Sequence, residues 1–160
     1  MSLRDLLKHE LSSTPSFDAG SQAISVHEGS QTLYVELVEL DTLACTFHRF
    51  ALQTSSLSHA TVDQLTSISD RLSKKLGYLL ETIGAVETDA EHCVVQMRSV
   101  PPHKDDDGTS YYELLVRRGG ELSLCRYRKT SGNTRQIIPA HVTREVLLRL
   151  AADFSAAMNK

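Results

Sequence analysis

The sequence predicts an α+β fold: a mostly antiparallel sheet of about six to seven strands, with two long amphipathic helices and a short N-terminal helix packed against it. Three observations carry this. Short runs of alternating apolar residues, separated by turn residues, recur along the chain. Two longer stretches, beginning at Thr61 and Pro139, repeat apolar residues at helical spacing instead. Finally, Gly119-Gly120 stands between two strand-like runs, the mark of a hairpin.

The elements follow in order. Ser2 and Asp5 form an N-cap pair, and Leu3, Leu6, Leu7 and Leu11 share a helical face, so a short helix is expected from Leu3 to Leu11. Ser12 to Ser21 is a loop by composition. Three strands follow, at Ala23–His27, Thr32–Leu40 and Leu43–Gln53. The middle one is apolar on both faces, which suits a central strand. Thr61 and Gln64 make a capping box ahead of the stripe Leu65, Ile68, Leu72, Leu76 and Leu79. Strands are expected again at Ala85–Thr88 and His92–Val100, and Pro101 to Gly108 is an exposed loop. After the hairpin, Gln136–Ile138 is a short edge strand and Pro139 opens the last helix, which buries Val142, Val146, Leu147, Leu150, Phe154 and Met158.

The hairpin carries the most detail. A two-residue turn at Gly119-Gly120 pairs Arg118 with Glu121, Leu115 with Leu124, Glu113 with Arg126 and Tyr112 with Tyr127. One face then holds Tyr112, Leu114, Val116, Ser123, Cys125 and Tyr127 and is expected in the core. The other holds Tyr111, Glu113, Leu115, Arg117, Leu122, Leu124, Arg126 and Arg128, a leucine patch rimmed by arginines.

Its 160 residues suit a single domain, 1–160, with 1–20 as N-terminal helix and loop. A faint echo between Thr32–Val38 and Ser110–Val116 raises a duplication of hairpin-plus-helix units, 32–80 and 110–158. Composition is ordinary for a globular chain, at 41% hydrophobic and 23% charged. A net charge of −3 argues against general affinity for nucleic acid or membrane surfaces. Acidic residues gather between Glu81 and Asp107 and basic ones between Arg117 and Arg149, a division that favours pairing within the fold or across a dimer. Three cysteines without close spacing, Cys45, Cys93 and Cys125, suit buried thiols. The N-terminus lacks the apolar run of a signal peptide, so a cytoplasmic location is expected.

Motifs that carry chemistry are sparse. Cys45 and His48 have finger-like spacing, but residues three apart on a strand point to opposite faces, so no metal and no cofactor is expected. Asp105-Asp106-Asp107-Gly108 lacks the alternating ligands of a calcium loop and suits a solvated turn. His48 with Glu36 or Glu39 could form an acid–base pair. Tyr111, Arg117, Arg126 and Arg128 could stack and clamp a single strand of nucleic acid, but the adjacent leucines and net negative charge oppose it.

The expectation is therefore a non-enzymatic interaction or assembly domain, with no catalytic residues assigned. Its partner, another protein or a second copy in a homodimer, binds on Tyr111, Leu115, Arg117, Leu122, Leu124, Arg126 and Arg128. The alternative is a small enzyme or ligand-binding domain with a pocket between sheet and helices, built around His48 and Tyr34.

Overall fold

The computed structural model describes residues 1–158. It is α+β, with three helices: α1 (Leu3–Ser13), α2 (Val62–Lys75) and α3 (Arg144–Ala157). Ten strands form one antiparallel sheet: β1 (Gln22–Glu28), β2 (Gln31–Leu40), β3 (Ala44–Thr54), β4 (Ile83–Asp89), β5 (Val94–Ser99), β6 (His103–Asp105), β7 (Gly108–Arg117), β8 (Glu121–Thr130), β9 (Gln136–Ile138) and β10 (Ala140–Thr143). The main order is β1-β2-β3-β8-β7-β5-β4, with β6 on β7, β9 on β8 and β10 on β3.

Ten strands correct the expectation of six to seven, and the N-terminal helix, at 11 residues against 14 for each of the others, is barely the short one. Two of the ten match no expected strand. β6 lies in the expected loop and β10 at the expected start of the last helix. Both are too short to show alternation; they extend only because β7 and β3 offer them unpaired ladder groups.

Capping boxes at Ser2–Asp5 and Thr61–Gln64 start α1 and α2, as their sequences require. α3 begins later than Pro139, with Thr143 as its N-cap. All three helices contribute to one core with the same face of the sheet. α2 follows β3 but packs on β4, β5 and β7; α3 follows β10 and packs on β3 and α1. Each long helix therefore crosses onto strands it does not adjoin in sequence.

The hairpin register differs from expectation by one residue. Arg117 pairs with Glu121, Val116 with Leu122, Leu114 with Leu124, Tyr112 with Arg126 and Tyr111 with Tyr127. The loop has three residues: Gly120 donates its N–H to the Arg117 carbonyl at 3.0 Å, and Gly120 alone of the two glycines has positive φ, +98°. This is a three-residue hairpin loop closed by a glycine with positive φ, not the two-residue turn that the glycine pair suggests. A Cβ at Gly120 would lie 2.3 Å from the Thr54 carbonyl oxygen, whereas one at Gly119 meets nothing.

Hydrophobic burial explains why this register prevails. It gathers Leu114, Val116, Leu122 and Leu124 on one face, all of them fully buried. The expected register would have put the last two outside. Burying a leucine stabilises by about 1.5–3 kcal/mol, and a cross-strand charge pair by roughly 0.2–1 kcal/mol. Two leucines outweigh two charge pairs. The same shift moves Cys125 out of the core onto the opposite face.

β3 and β8 pair only from Phe50↔Leu124 to Gln53↔Glu121. Beyond Phe50 they diverge, and residues 136–143 fill the fork. The chain runs in along β8 as β9, turns at Pro139, and runs out along β3 as β10. Proline suits that corner because it has no N–H to leave unpaired.

Candidate functional site

The face of the sheet opposite the helices is the candidate site. Of the residues expected to bind a partner, Tyr111, Leu115 and Arg117 lie on it, Tyr111 buried, Leu115 half-buried and Arg117 exposed. The other four are turned away by the register. Leu122 and Leu124 are in the core. Arg126 shares the core side of the sheet with Tyr112; its Nη1 lies 2.8 Å from Glu81 Oε2 and its guanidinium 4.7 Å from the centre of the Tyr112 ring. Arg128 is held by both oxygens of Asp105, at 2.8 and 2.9 Å. The expected leucine patch rimmed by arginines therefore does not exist as one surface.

Those two contacts join the acidic segment to the basic one within the fold. Asp105 also accepts the N–H groups of Asp107 and Gly108, so the triple aspartate forms the β6–β7 turn. Hydrogen bonding to Arg128, then to the turn amides, holds its carboxyl well below the usual range.

On the helix-free face, side chains cross-brace the strands. Glu113, only 2% exposed, receives hydrogen bonds from Gln96 at 2.8 Å and from both terminal nitrogens of Arg135. The bond to Glu113 is the main reason that the Arg135 guanidinium holds its proton even more firmly than usual. Arg135 also lies 3.8 Å from the centre of the Tyr127 ring, and Arg98 lies 5.0 Å from that of Tyr111. The two tyrosine rings are 6.1 Å apart. Sequence patterning counts Arg135 only within the basic segment Arg117–Arg149 and gives it no site role; no local signal links it to Glu113, 22 residues away.

A cleft of about 640 Å³ opens beside this cluster, among Arg98, Ser99, Tyr111, Lys129, Thr134 and Arg135. A second, of about 390 Å³, lies at the other end of the same face among Tyr34, Glu36, Arg49 and Glu121. There Arg49 is ion-paired to Glu121, and His48 Nδ1 lies 4.0 Å from Glu36 Oε1. The structure thus brings His48 to Glu36, and it sets Tyr34 on the helix-free face instead of between sheet and helices.

The cysteines are buried. Burial pushes the Cys45 thiol up to about 12 and raises that of Cys125, against the nearby Arg49. No group of three or more metal-ligating side chains occurs among the described residues, and no helix there is long and apolar enough to cross a membrane. Comparison with family models, curated proteins and solved structures gives no match for this chain.

Proposed function

We propose that this is a non-catalytic interaction domain that docks a protein partner on the helix-free sheet face, around Tyr111, Leu115 and Arg117. The observation that supports it is the one-sidedness of the molecule. All three helices serve one core, and the opposite face is already rigid through its Arg–Tyr–Glu bracing. A rigid surface loses little side-chain entropy on binding, and Arg and Tyr are enriched among residues that dominate interfaces.

Leu115→Asp and Arg117→Glu test this reading, since neither side chain belongs to the core cluster. Light scattering after size exclusion measures self-association, and crosslinking in the native extract measures a foreign partner. Either variant should abolish the complex while leaving the unfolding midpoint nearly unchanged. An unaltered complex in both variants removes the proposal. A second reading is a small-ligand site at the Tyr34 end, supported by the approach of His48 to Glu36 at the edge of the smaller cleft. Loss of ligand binding in Tyr34→Ala would favour it.

A further inference from the structure

We infer that the larger cleft on the helix-free face is a binding site for a phosphate monoester group, with Arg98, Lys129 and Arg135 as its cationic wall.

The cleft exists because β5 leaves β7 early. After Ser99 the chain passes through Val100-Pro101-Pro102 and rejoins β7 as β6. At the gap the ladder is completed by a side chain: Ser99 Oγ accepts the Tyr112 N–H at 2.9 Å. Across the gap stands the β8–β9 loop. A hydrogen bond from the Asn133 N–H to the Thr130 carbonyl, 3.2 Å, and another from its side chain to Thr130 Oγ1, 2.9 Å, fold that loop. A break in one strand and a fixed loop on the other side together make a walled depression.

Charge identifies what the depression takes. Three cations line it or border it, and the one carboxylate engaged with them is Glu113, which is bonded to Arg135. Three positive charges less one leave two. A phosphate monoester carries about −1.5 to −2 near neutral pH, whereas a lone carboxylate carries one charge. Arg98 is the decisive residue. Among the described residues no carboxylate lies within ion-pair distance of it, and its Nε–H is buried without any acceptor. That Nε–H is covered by the protein, so what Arg98 offers the cleft it lines is the outer fork of its guanidinium, whose terminal nitrogens make no ion pair among the described residues. Arginine's planar fork matches phosphate oxygens. Tyr111 adds a further donor, because its oxygen accepts from Arg135 at 3.4 Å and its own O–H remains free to point elsewhere. The volume, about 640 Å³, exceeds a bare phosphate and leaves room for what bears it. That bearer is either a phosphorylated side chain or a small phosphorylated metabolite. The site does not depend on a protein docking elsewhere on the face.

The test titrates the full chain at constant ionic strength with inorganic phosphate, a phosphoserine peptide and a sugar phosphate, with chloride as control. Calorimetry gives affinity, and the side-chain Nε–H resonance of Arg98 reports contact. Saturable phosphate binding with Kd on the order of 1 mM or tighter, accompanied by movement of that resonance, is the expected result. Arg98→Gln should weaken it by about tenfold or more. The exposed Lys129→Gln, which cannot disturb the core, should weaken it less, and Arg117→Gln should leave it unchanged. Tighter binding of the peptide assigns the source to a modified protein, and tighter binding of the sugar phosphate to a metabolite. No saturable binding of any probe, or an Arg98→Gln chain that folds and binds as well as the parent, overturns the site.

Discussion

The two halves of the sheet share a plan and differ in chemistry. β1, β2 and β3 form an antiparallel meander followed by α2; β5, β7 and β8 form another, followed after β9 and β10 by α3. The last strands of the two meanders meet antiparallel at the centre. Val35 pairs with Phe50 in the first half and Leu114 with Leu124 in the second, which makes Phe50 and Leu124 equivalent. These two residues face each other across the seam. One ladder step further the halves diverge. The first continues as Val26, Leu33 and Leu52, all buried and apolar; the second as Ser99, Tyr112 and Arg126, with Glu81 closing over the arginine. A dry row and a polar row occupy the same place in the scaffold. The polar row lies where β5 parts from β7, and there the basic cleft opens. The departure from hydrophobic patterning thus marks the site better than any motif does.

The largest effect that would break this comparison lies at the seam. Phe50→Ala removes a ring packed 5.1 Å from Phe154 and should cost about 3–5 kcal/mol. Because the seam joins both halves, urea unfolding followed by several probes should remain one transition at lower denaturant. Two separated transitions would show that the halves are not one cooperative unit. The polar row gives the next largest effect. Arg126→Leu leaves the Glu81 carboxylate half-covered without its partner and should cost about 1–3 kcal/mol. Adding Glu81→Met makes the second half resemble the first, and stability should recover to within about 1 kcal/mol of the parent or exceed it. Failure of the double variant to recover would mean that the ion pair holds more than itself together.

Turn chemistry supplies a sharper, smaller test. Gly120→Ala should cost more than about 1 kcal/mol, because of its positive φ and the Thr54 carbonyl beside it. Gly119→Ala should lie within about 0.5 kcal/mol of neutral. Equal costs at both glycines would restore the two-residue turn and with it the other register.

Acid titration compares the halves most finely. Asp41 accepts the N–H groups of Leu43 and Ala44 at the β2–β3 turn, and Asp105 plays the same part at the β6–β7 turn with Arg128 added. Both carboxyls titrate below their ordinary value of 3.8, so the stability they contribute is present above about pH 4 and is lost as pH falls through the folded values. Asp105→Asn should therefore flatten the acid limb of the stability profile more than Asp41→Asn, read from urea midpoints between neutral pH and pH 3.

Much of the fold was legible because it is local. Capping boxes, the helical stripes and the alternation in β2 and β7 are written within a few residues of each other. The echo between Thr32–Val38 and Ser110–Val116 does fall on the two central strands of the meanders. It aligns Leu33 with Tyr111, however, whereas the ladder sets Leu33 with Tyr112, on the core side. The candidate site was legible only in part. Tyr111, Leu115 and Arg117 share the helix-free face as expected, while Leu122, Leu124, Arg126 and Arg128 do not. Arg135 carries no sequence signal because its partner Glu113 is distant in the chain, and Arg98 carries none because no carboxylate among the described residues pairs with it.

By itself the sequence determined the class of fold, the starts of the first two helices, the presence of the third and the existence of the central hairpin. These follow from propensity, capping and apolar periodicity. Tertiary structure decided the hairpin's register, since only the sheet's common core makes four aliphatic side chains on one face worth more than two cross-strand charge pairs. It also decided the fork filled by β9 and β10, the crossing of each long helix onto the other half, and the assembly of a basic cleft from β5, β8 and the loop beyond. Each of these depends on which strands become neighbours, and that is settled by burial summed over the whole sheet.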